Sequence, residues 1–357
     1  MHITCKCLII LTAYPTFLSY GQWLMRISVL GSGSWGTALA IMLGRKGYEV
    51  VLWSRRPQQA AQMQMTRENT QYLPSFPLPD SITCTGNLNE TLTGSSAVVI
   101  AVPSTAVRDV AHELVGQLST GTLLVHAGKG LESETGMRGS EVIAEELGDN
   151  IAKECVVLSG PNLSNELVRD VPSATVVASQ SVDAATRAQE IFHSGSLRVY
   201  RASDVIGVEL GGALKNVMAI GAGICDGMGF GDNTKAALVT RGLKEMVRLG
   251  TVMGADPATF TGLSGIGDLM ATCSSKLSRN LRMGLMLGIG KSVHESMATL
   301  GQVAEGVHTC KAAYILSKKH DVDMPITTQL YGILFEGKSP TQGLIELMDR
   351  SYKEEKL

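Results

Sequence analysis

Lys215 and Asn216 stand side by side inside an otherwise apolar stretch, Gly207-Val-Glu-Leu-Gly-Gly-Ala-Leu-Lys215-Asn216. A lysine on such a face loses its hydration, which lowers its pKa towards the range of a general acid or base. Lys129, in Val125-His-Ala-Gly128-Lys129-Gly130, follows a short β-branched run, at the strand end where an open parallel sheet presents its ligands. Ser159-Gly160-Pro-Asn162-Leu-Ser164 repeats that arrangement with small polar groups. Gly265-Ile-Gly267-Asp268 sets a carboxylate in a turn before a helix, and Ser278-Arg279-Asn280 lines up three donors that suit a phosphate. Taken singly, each has a structural alternative. Lys129 could be a solvated loop residue, Asp268 and Ser278 helix caps, and Lys215 a side chain that snorkels to the surface. His126 and the other histidines show no partner pattern and read as structural or surface residues.

A second constellation lies near the beginning. Arg26-Ile-Ser-Val-Leu-Gly31-Ser-Gly33-Ser34-Trp35-Gly36 places GxGxxG between a strand and a helix. Gly31 permits the tight turn, Gly33 lets a pyrophosphate approach the backbone, and Gly36 allows the helix to pack closely on the strand. The helix N-terminus then offers N–H groups and a partial positive charge to the phosphates. The next strand ends at Val51-Leu-Trp53 and continues Ser54-Arg55-Arg56. An NAD site usually carries Asp or Glu there, to accept from the ribose 2′-hydroxyl. Two guanidiniums suit a 2′-phosphate instead, which favours NADPH (NADP+) while leaving NADH (NAD+) open. A pair of solvated surface arginines is the other reading. Tyr72 either adds an adenine contact or packs.

These residues need elements to hold them. From Arg26 to about Ser203, β-branched runs at Ile27–Leu30, Val50–Trp53, Ala97–Val102, Thr122–Ala127, Cys155–Ser159, Ala174–Ser179 and Leu197–Tyr200 alternate with helical periodicity. That pattern predicts βαβ units and a mostly parallel sheet. After Ser203 only helical stretches follow, separated by stops such as Gly254–Pro257 and Asp323–Pro325. The predicted fold class is α/β: an N-terminal Rossmann-like domain over residues 25–203, then an all-helical substrate-binding and catalytic domain over 204–357. Residues 1–24 read as an extension of doubtful function, such as an upstream start codon would add, with a targeting segment as the other reading. Their apolar run, Cys7–Leu11, is too short for a membrane span.

The chain has 357 residues, enough for two cores. With 44% hydrophobic residues and a net charge of −2 it is not a disordered chain, and it has no overall basic footprint for nucleic acid or an anionic membrane. Seven scattered cysteines, with no paired spacing, support neither a zinc site nor a disulfide framework. They read as free thiols of a reducing, cytoplasmic compartment. No metal is expected.

Together the segments resemble bacterial NAD(P)-dependent glycerol-3-phosphate dehydrogenase, from Met25 to about Asp349. The resemblance is carried by Gly31–Ala40, Lys129-Gly130-Leu131, Ser159-Gly160-Pro161, Ile206–Gly223, Thr261–Cys273, Ser278-Arg279-Asn280 and Gly301-Gln-Val-Ala-Glu305-Gly306. It implies reversible reduction of dihydroxyacetone phosphate to sn-glycerol 3-phosphate, the backbone for phospholipid synthesis, with Lys215 as the catalytic lysine. It places Lys129, Gly160, Asn162, Lys215, Asp268, Ser278, Arg279 and Asn280 at the substrate. It places Ser34, Trp35, Arg55, Arg56, Lys129, Ser164, Arg279, Val303 and Glu305 at the cofactor. Asn162-Leu163-Ser164 departs from the Ser/Thr-Phe-Ala usual in bacterial members. A homodimer is expected by analogy. A β-hydroxyacid or 6-phosphogluconate type dehydrogenase shares the plan and a lysine followed by asparagine. A cofactor-binding sensor without turnover is the alternative from another class.

Overall fold

The β-branched runs become the strands of one eight-stranded sheet in a computed structural model that describes residues 25–301, 303–351, 354 and 355. The extension 1–24 lies outside the described residues. In chain order the strands are β1 (Arg26–Leu30), β2 (Glu49–Trp53), β3 (Glu68–Asn69), β4 (Leu73–Pro77), β5 (Ile82–Thr85), β6 (Ala97–Ile100), β7 (Leu123–His126), β8 (Val156–Ser159), β9 (Ser173–Ala178) and β10 (Leu197–Ala202). The sheet order is β10-β9-β8-β7-β6-β1-β2-β5, with β3 and β4 forming a separate antiparallel pair. Every pairing in the sheet is parallel except β8 with β9. The strand order turns around at β1 and β6, so a crevice opens beyond their carboxyl ends, where such sheets take ligands.

Successive strand residues feed two cores, which is why the strands read as unbroken apolar runs. Ile27, Val29 and Val99 face one layer of helices, while Leu30, Val98 and Ile100 face the other. Three strands were not legible in the pattern. β3 and β4 are short, β4 carries two prolines that restrict it to an edge, and β5 is mostly Thr and Cys.

The second half is helical, as expected, and is built around one long helix, Val205–Gly227. By length and composition this helix could cross a membrane, yet 89% of its most apolar window is buried inside the protein. Sequence periodicity ends it at Gly221, but it runs on through Gly223 to Gly227. The reason is tertiary. A Cβ on Gly223 would lie 2.0 Å from the Leu281 carbonyl oxygen, and one on Gly284 would lie 1.9 Å from that of Ile220. One turn on, Gly227 and Gly288 face each other, each leaving 2.8 Å between a Cβ and the opposing Cα. The backbones of Val205–Gly227 and Arg279–Gly288 therefore touch along a glycine seam, and the packing outweighs the poor helix propensity of glycine. This contact sets how the helix of Lys215 lies against the helix that begins at Arg279.

Gly284→Ala puts a methyl into backbone that has no room to yield. Urea unfolding should show a loss of about 1–3 kcal/mol or more. A variant as stable as the parent would show that the seam is loose.

Candidate active site

Asp268 begins the Asp268–Ser274 helix, rather than lying in the turn before it, and is 2% exposed. One carboxylate oxygen accepts from Lys215 Nζ at 2.9 Å and the other from Lys129 Nζ at 2.8 Å. Lys215 Nζ also donates to Thr272 Oγ1 at 2.7 Å, and Lys129 Nζ to the Gly160 carbonyl at 2.7 Å. Four chain segments thus converge on two ammonium groups: the β7 and β8 carboxyl ends, the central helix and the Asp268 helix. Gly160 has φ +143°, and a Cβ there would meet Thr175 Cα at 3.0 Å. Its backbone can therefore turn its carbonyl to Lys129 only without a side chain.

Burial pushes the Lys215 ammonium down to about 8; Lys129 adds to that fall and Asp268 opposes it. Burial alone would raise the Asp268 carboxyl, but Lys129 and Lys215 hold it below the usual range. The result is a lysine that can exchange a proton near neutral pH, fixed in place by a carboxylate that stays ionised.

A polar chain runs from this centre across the helical half. Asn216 Nδ2 donates to the Lys129 carbonyl at 3.2 Å, Asn280 Nδ2 donates to Asn216 Oδ1 at 2.9 Å, and Gly306 N–H donates to Asn280 Oδ1 at 2.9 Å. The Asn280 side chain is thereby engaged in joining helices. Ser278 caps the Arg279–Gly288 helix, its Oγ accepting from Leu281 N–H at 3.2 Å. Arg279 and Glu305 lie close enough to perturb each other. Burial pushes the Arg279 guanidinium down against the pull of Glu305, and burial raises the Glu305 carboxyl against Ser104 and Arg279. Ser104 Oγ donates to Glu305 Oε2 at 2.7 Å, tying the end of β6 to the helix Glu305–Lys319. Asn162 Nδ2 donates to the Ala174 carbonyl at 3.1 Å, whereas its buried Oδ1 and the buried Ser159 Oγ lack partners among the described residues. Ser164 opens the short Ser164–Leu167 helix, and Val303 is 38% exposed just before Ala304.

The glycine turn fits a dinucleotide. Gly31 has φ +117°, and a Cβ there would meet the Ala101 carbonyl oxygen at 2.6 Å. A Cβ on Gly36 would lie 1.9 Å from the Gly31 carbonyl oxygen. Gly33 caps the Ser34–Arg45 helix with no side-chain bond, and nothing lies within 4 Å of a Cβ placed on it. That open ground before the first N–H groups is the cradle a pyrophosphate needs. Trp35 Nε1 donates to the Ala127 carbonyl at 2.9 Å and its ring lies 5.8 Å from Lys129 Nζ, linking the turn to the lysine centre. Ser34 Oγ donates to the Tyr72 carbonyl at 2.7 Å. Arg55 and Arg56 are exposed beyond β2, and Arg56 lies 5.6 Å from the Tyr72 ring centre with Nη2 donating to Tyr72 Oη at 2.8 Å.

The structure thus brings Lys129, Gly160, Lys215 and Asp268 into direct contact. Asn280 is linked to them through Asn216, and the arginine pair with Tyr72 stands apart at the far end of the glycine turn. Thr272 and Ser104 went unremarked in the sequence. Thr272 is four residues after Asp268, on the same helix face, and that spacing is a signal for it. Ser104 carries no local signal, because its partner is 201 residues away.

With this geometry in view, residues 26–185 match the family described as NAD-dependent glycerol-3-phosphate dehydrogenase N-terminus, and residues 204–344 match its C-terminus. The chain is 50% identical over 331 residues to glycerol-3-phosphate dehydrogenase [NAD(P)+] of a Thermoanaerobacter species, covering 93% of this chain and 99% of that protein. It is 51% identical over 325 residues to the protein of that name from Pelotomaculum thermopropionicum, covering 91% and 93%. The crystal structure of glycerol-3-phosphate dehydrogenase from Coxiella burnetii superposes with a TM-score of 0.88 at 39% identity, over 92% of this chain and all of that one.

Removing the shared carboxylate tests the lysine centre directly. Asp268→Asn leaves two buried ammonium groups facing a neutral amide and should lower stability by about 3–5 kcal/mol at pH 7. The folded pKa of Lys215 lies below its unfolded value, so its burial cost is full below about 8 and is relieved as pH rises. The loss in Asp268→Asn should therefore shrink between pH 7 and pH 9 in denaturant titrations. A pH-independent loss would remove Lys215 from the explanation.

Proposed function

The chain belongs to the NAD-dependent glycerol-3-phosphate dehydrogenase family, and from that premise we propose how its residues divide the work of the reaction. It is an oxidoreductase that interconverts dihydroxyacetone phosphate and glycerol 3-phosphate with NADP(H) or NAD(H). A β-hydroxyacid or 6-phosphogluconate dehydrogenase is not favoured, since full-length identity near one half falls to proteins of the first activity. Residues 25–203 hold the cofactor and 204–357 complete the substrate site.

The observation that carries the residue assignment is the single buried carboxylate of Asp268 gripping both Lys129 and Lys215. Lys215 donates a proton to the oxygen of the ketone as it is reduced, and takes it back in the reverse direction. Lys129 adds positive charge where the oxyanion develops, inside a water-poor site that strengthens the attraction. Asp268 and Thr272 hold Lys215 in one orientation, so no reorganisation is needed as the proton moves. Arg279, at the first turn of its helix, meets the substrate phosphate with its guanidinium fork, joined by Ser278 and the backbone N–H groups of that turn. Asn162 Oδ1 and Ser159 Oγ, buried and without partners among the described residues, would receive a substrate hydroxyl. A nicotinamide held on the glycine turn would supply the hydride chemistry. Ser34, Trp35, Arg55, Arg56, Tyr72, Ser164, Val303 and Glu305 would hold the dinucleotide, with Arg55 and Arg56 favouring a 2′-phosphate.

The product serves glycerophospholipid synthesis, and the enzyme acts in the cytoplasm as a homodimer. Five buried free cysteines among the described residues suit a reducing compartment. Sedimentation that gives a monomer mass would dismiss the dimer.

The deciding assay is NADPH oxidation at 340 nm with dihydroxyacetone phosphate, NADH run in parallel. Turnover is expected with both cofactors and, at equal low concentrations, faster with NADPH than with NADH; no turnover with the ketone would reject the reading. In that assay kcat/KM for ketone reduction should fall as pH rises through about 8, because only the protonated Lys215 can act as acid. In the oxidation direction it should rise over the same range. Lys215→Ala should lower kcat by roughly 10²–10⁴-fold with NADPH binding retained. Arg279→Ala should mainly raise KM for the ketone; an effect confined to folding would reduce it to a structural residue.

A further inference from the structure

Gln59, in the first turn of the helix Pro57–Thr66, joins the glycine turn and Arg56 through a single side chain. Its Oε1 accepts from Arg56 Nη2 at 2.7 Å, from Arg56 Nε at 3.1 Å and from Ser54 Oγ at 3.1 Å. Its Nε2 donates to the Ser32 carbonyl, inside the glycine turn, at 3.3 Å. Only this orientation of the amide works. Turned over, it would set two donors against the guanidinium and an oxygen against a carbonyl. The Ser32 carbonyl has a second anchor, Asn69 Nδ2 at 2.8 Å, and Asn69 also donates to Thr37 Oγ1. Arg56 is held further by Gln71 Oε1 at 3.1 Å and Tyr72 Oη, above a surface cleft of about 220 Å³ lined by Arg56, Gln59, Asn69 and Gln71.

An exposed arginine ordinarily samples many rotamers and loses that freedom when it grips a ligand. Here the guanidinium is already fixed, by its Nε and Nη2 edge, at a set distance from the turn that takes the pyrophosphate. None of these bonds uses the Nη1 edge. A ribose 2′-phosphate lies only a few bonds from the pyrophosphate, so an arginine already ordered beside the turn meets its charge without first losing rotamer freedom, whereas a 2′-hydroxyl offers that guanidinium no charge. We propose that Gln59 is a specificity-determining residue that positions Arg56 against the glycine turn and so favours a dinucleotide bearing a 2′-phosphate over one bearing a 2′-hydroxyl. This inference rests on the reading of Arg56 as the 2′-phosphate contact.

Direct binding separates the two. NADPH and NADH are titrated, by fluorescence and without substrate, into the full-length parent, Gln59→Met, Arg56→Met and the double variant. Gln59→Met should weaken NADPH about tenfold, the scale of one hydrogen bond to a charged group, and NADH less than about threefold, because Asn69 still holds the turn. In the Arg56→Met background the same change should alter NADPH binding by less than about twofold, since the residue acts through the arginine. Equal weakening of both cofactors would reduce Gln59 to a support of the turn and overturn the proposal, as would independent effects of the two substitutions. If Arg56→Met leaves NADPH binding intact, the arginine reading fails first and the inference with it. Should Gln59→Met not fold, Gln59→Glu reads the same point. Its carboxylate keeps Arg56 in place but cancels its charge, so NADPH should weaken selectively, and an unchanged cofactor ratio would overturn the proposal.

Discussion

Two lysine ammonium groups share one buried carboxylate, and the arrangement of the rest of the protein follows from that constraint. An ammonium without a counter-charge does not persist in an apolar core, and neither does a carboxylate. Lys129 and Lys215 can stand close together only because Asp268 lies between them, and Asp268 stays ionised only because both are there. The three residues come from the sheet, the central helix and a later helix. Their meeting therefore fixes how the helical half sits on the sheet edge. A site held this tightly needs little reorganisation when charge moves within it.

Close backbone approach is the second device, and glycine makes it. The glycine turn brings the first helix against β1 and β6, and the seam between Val205–Gly227 and Arg279–Gly288 brings the helix of Lys215 against the helix that begins at Arg279. Both contacts place a helix N-terminus near a functional cleft, one at the turn and one at Arg279. The polar chain Asn216–Asn280–Gly306 then locks the three helical segments without leaving those side-chain amides unpaired. Precision at Lys215 thus depends on atoms that never touch the substrate.

The cofactor end is organised on a different principle. Its arginines are exposed, so their charges are screened, and their effect depends on where they are held more than on how strongly they attract. Gln59 and Tyr72 order Arg56, while Ser34 and Asn69 tie the β3–β4 segment back to the glycine turn. The short, proline-bearing hairpin that the apolar pattern does not reveal is the platform for this end of the site. It was illegible because an edge hairpin buries too little to show a period.

What the sequence determined by itself was local. The glycine spacing, the strand–helix alternation, the paired arginines and a lysine on an apolar face are short-range signals, each caused by a backbone or burial requirement within a few residues. They are enough to reach the fold class, the kind of cofactor and the burial of Lys215. Tertiary structure alone decided that Asp268 serves both lysines at once. It also decided that the central helix continues through Gly227, that Ser104 reaches Glu305, and that Gln59 bridges the turn to Arg56. Each of these depends on groups brought together across 27 to 201 positions, or on the path of a backbone rather than its side chains. No local pattern encodes them, because the energy that selects them appears only once the chain has closed and water has left the contact.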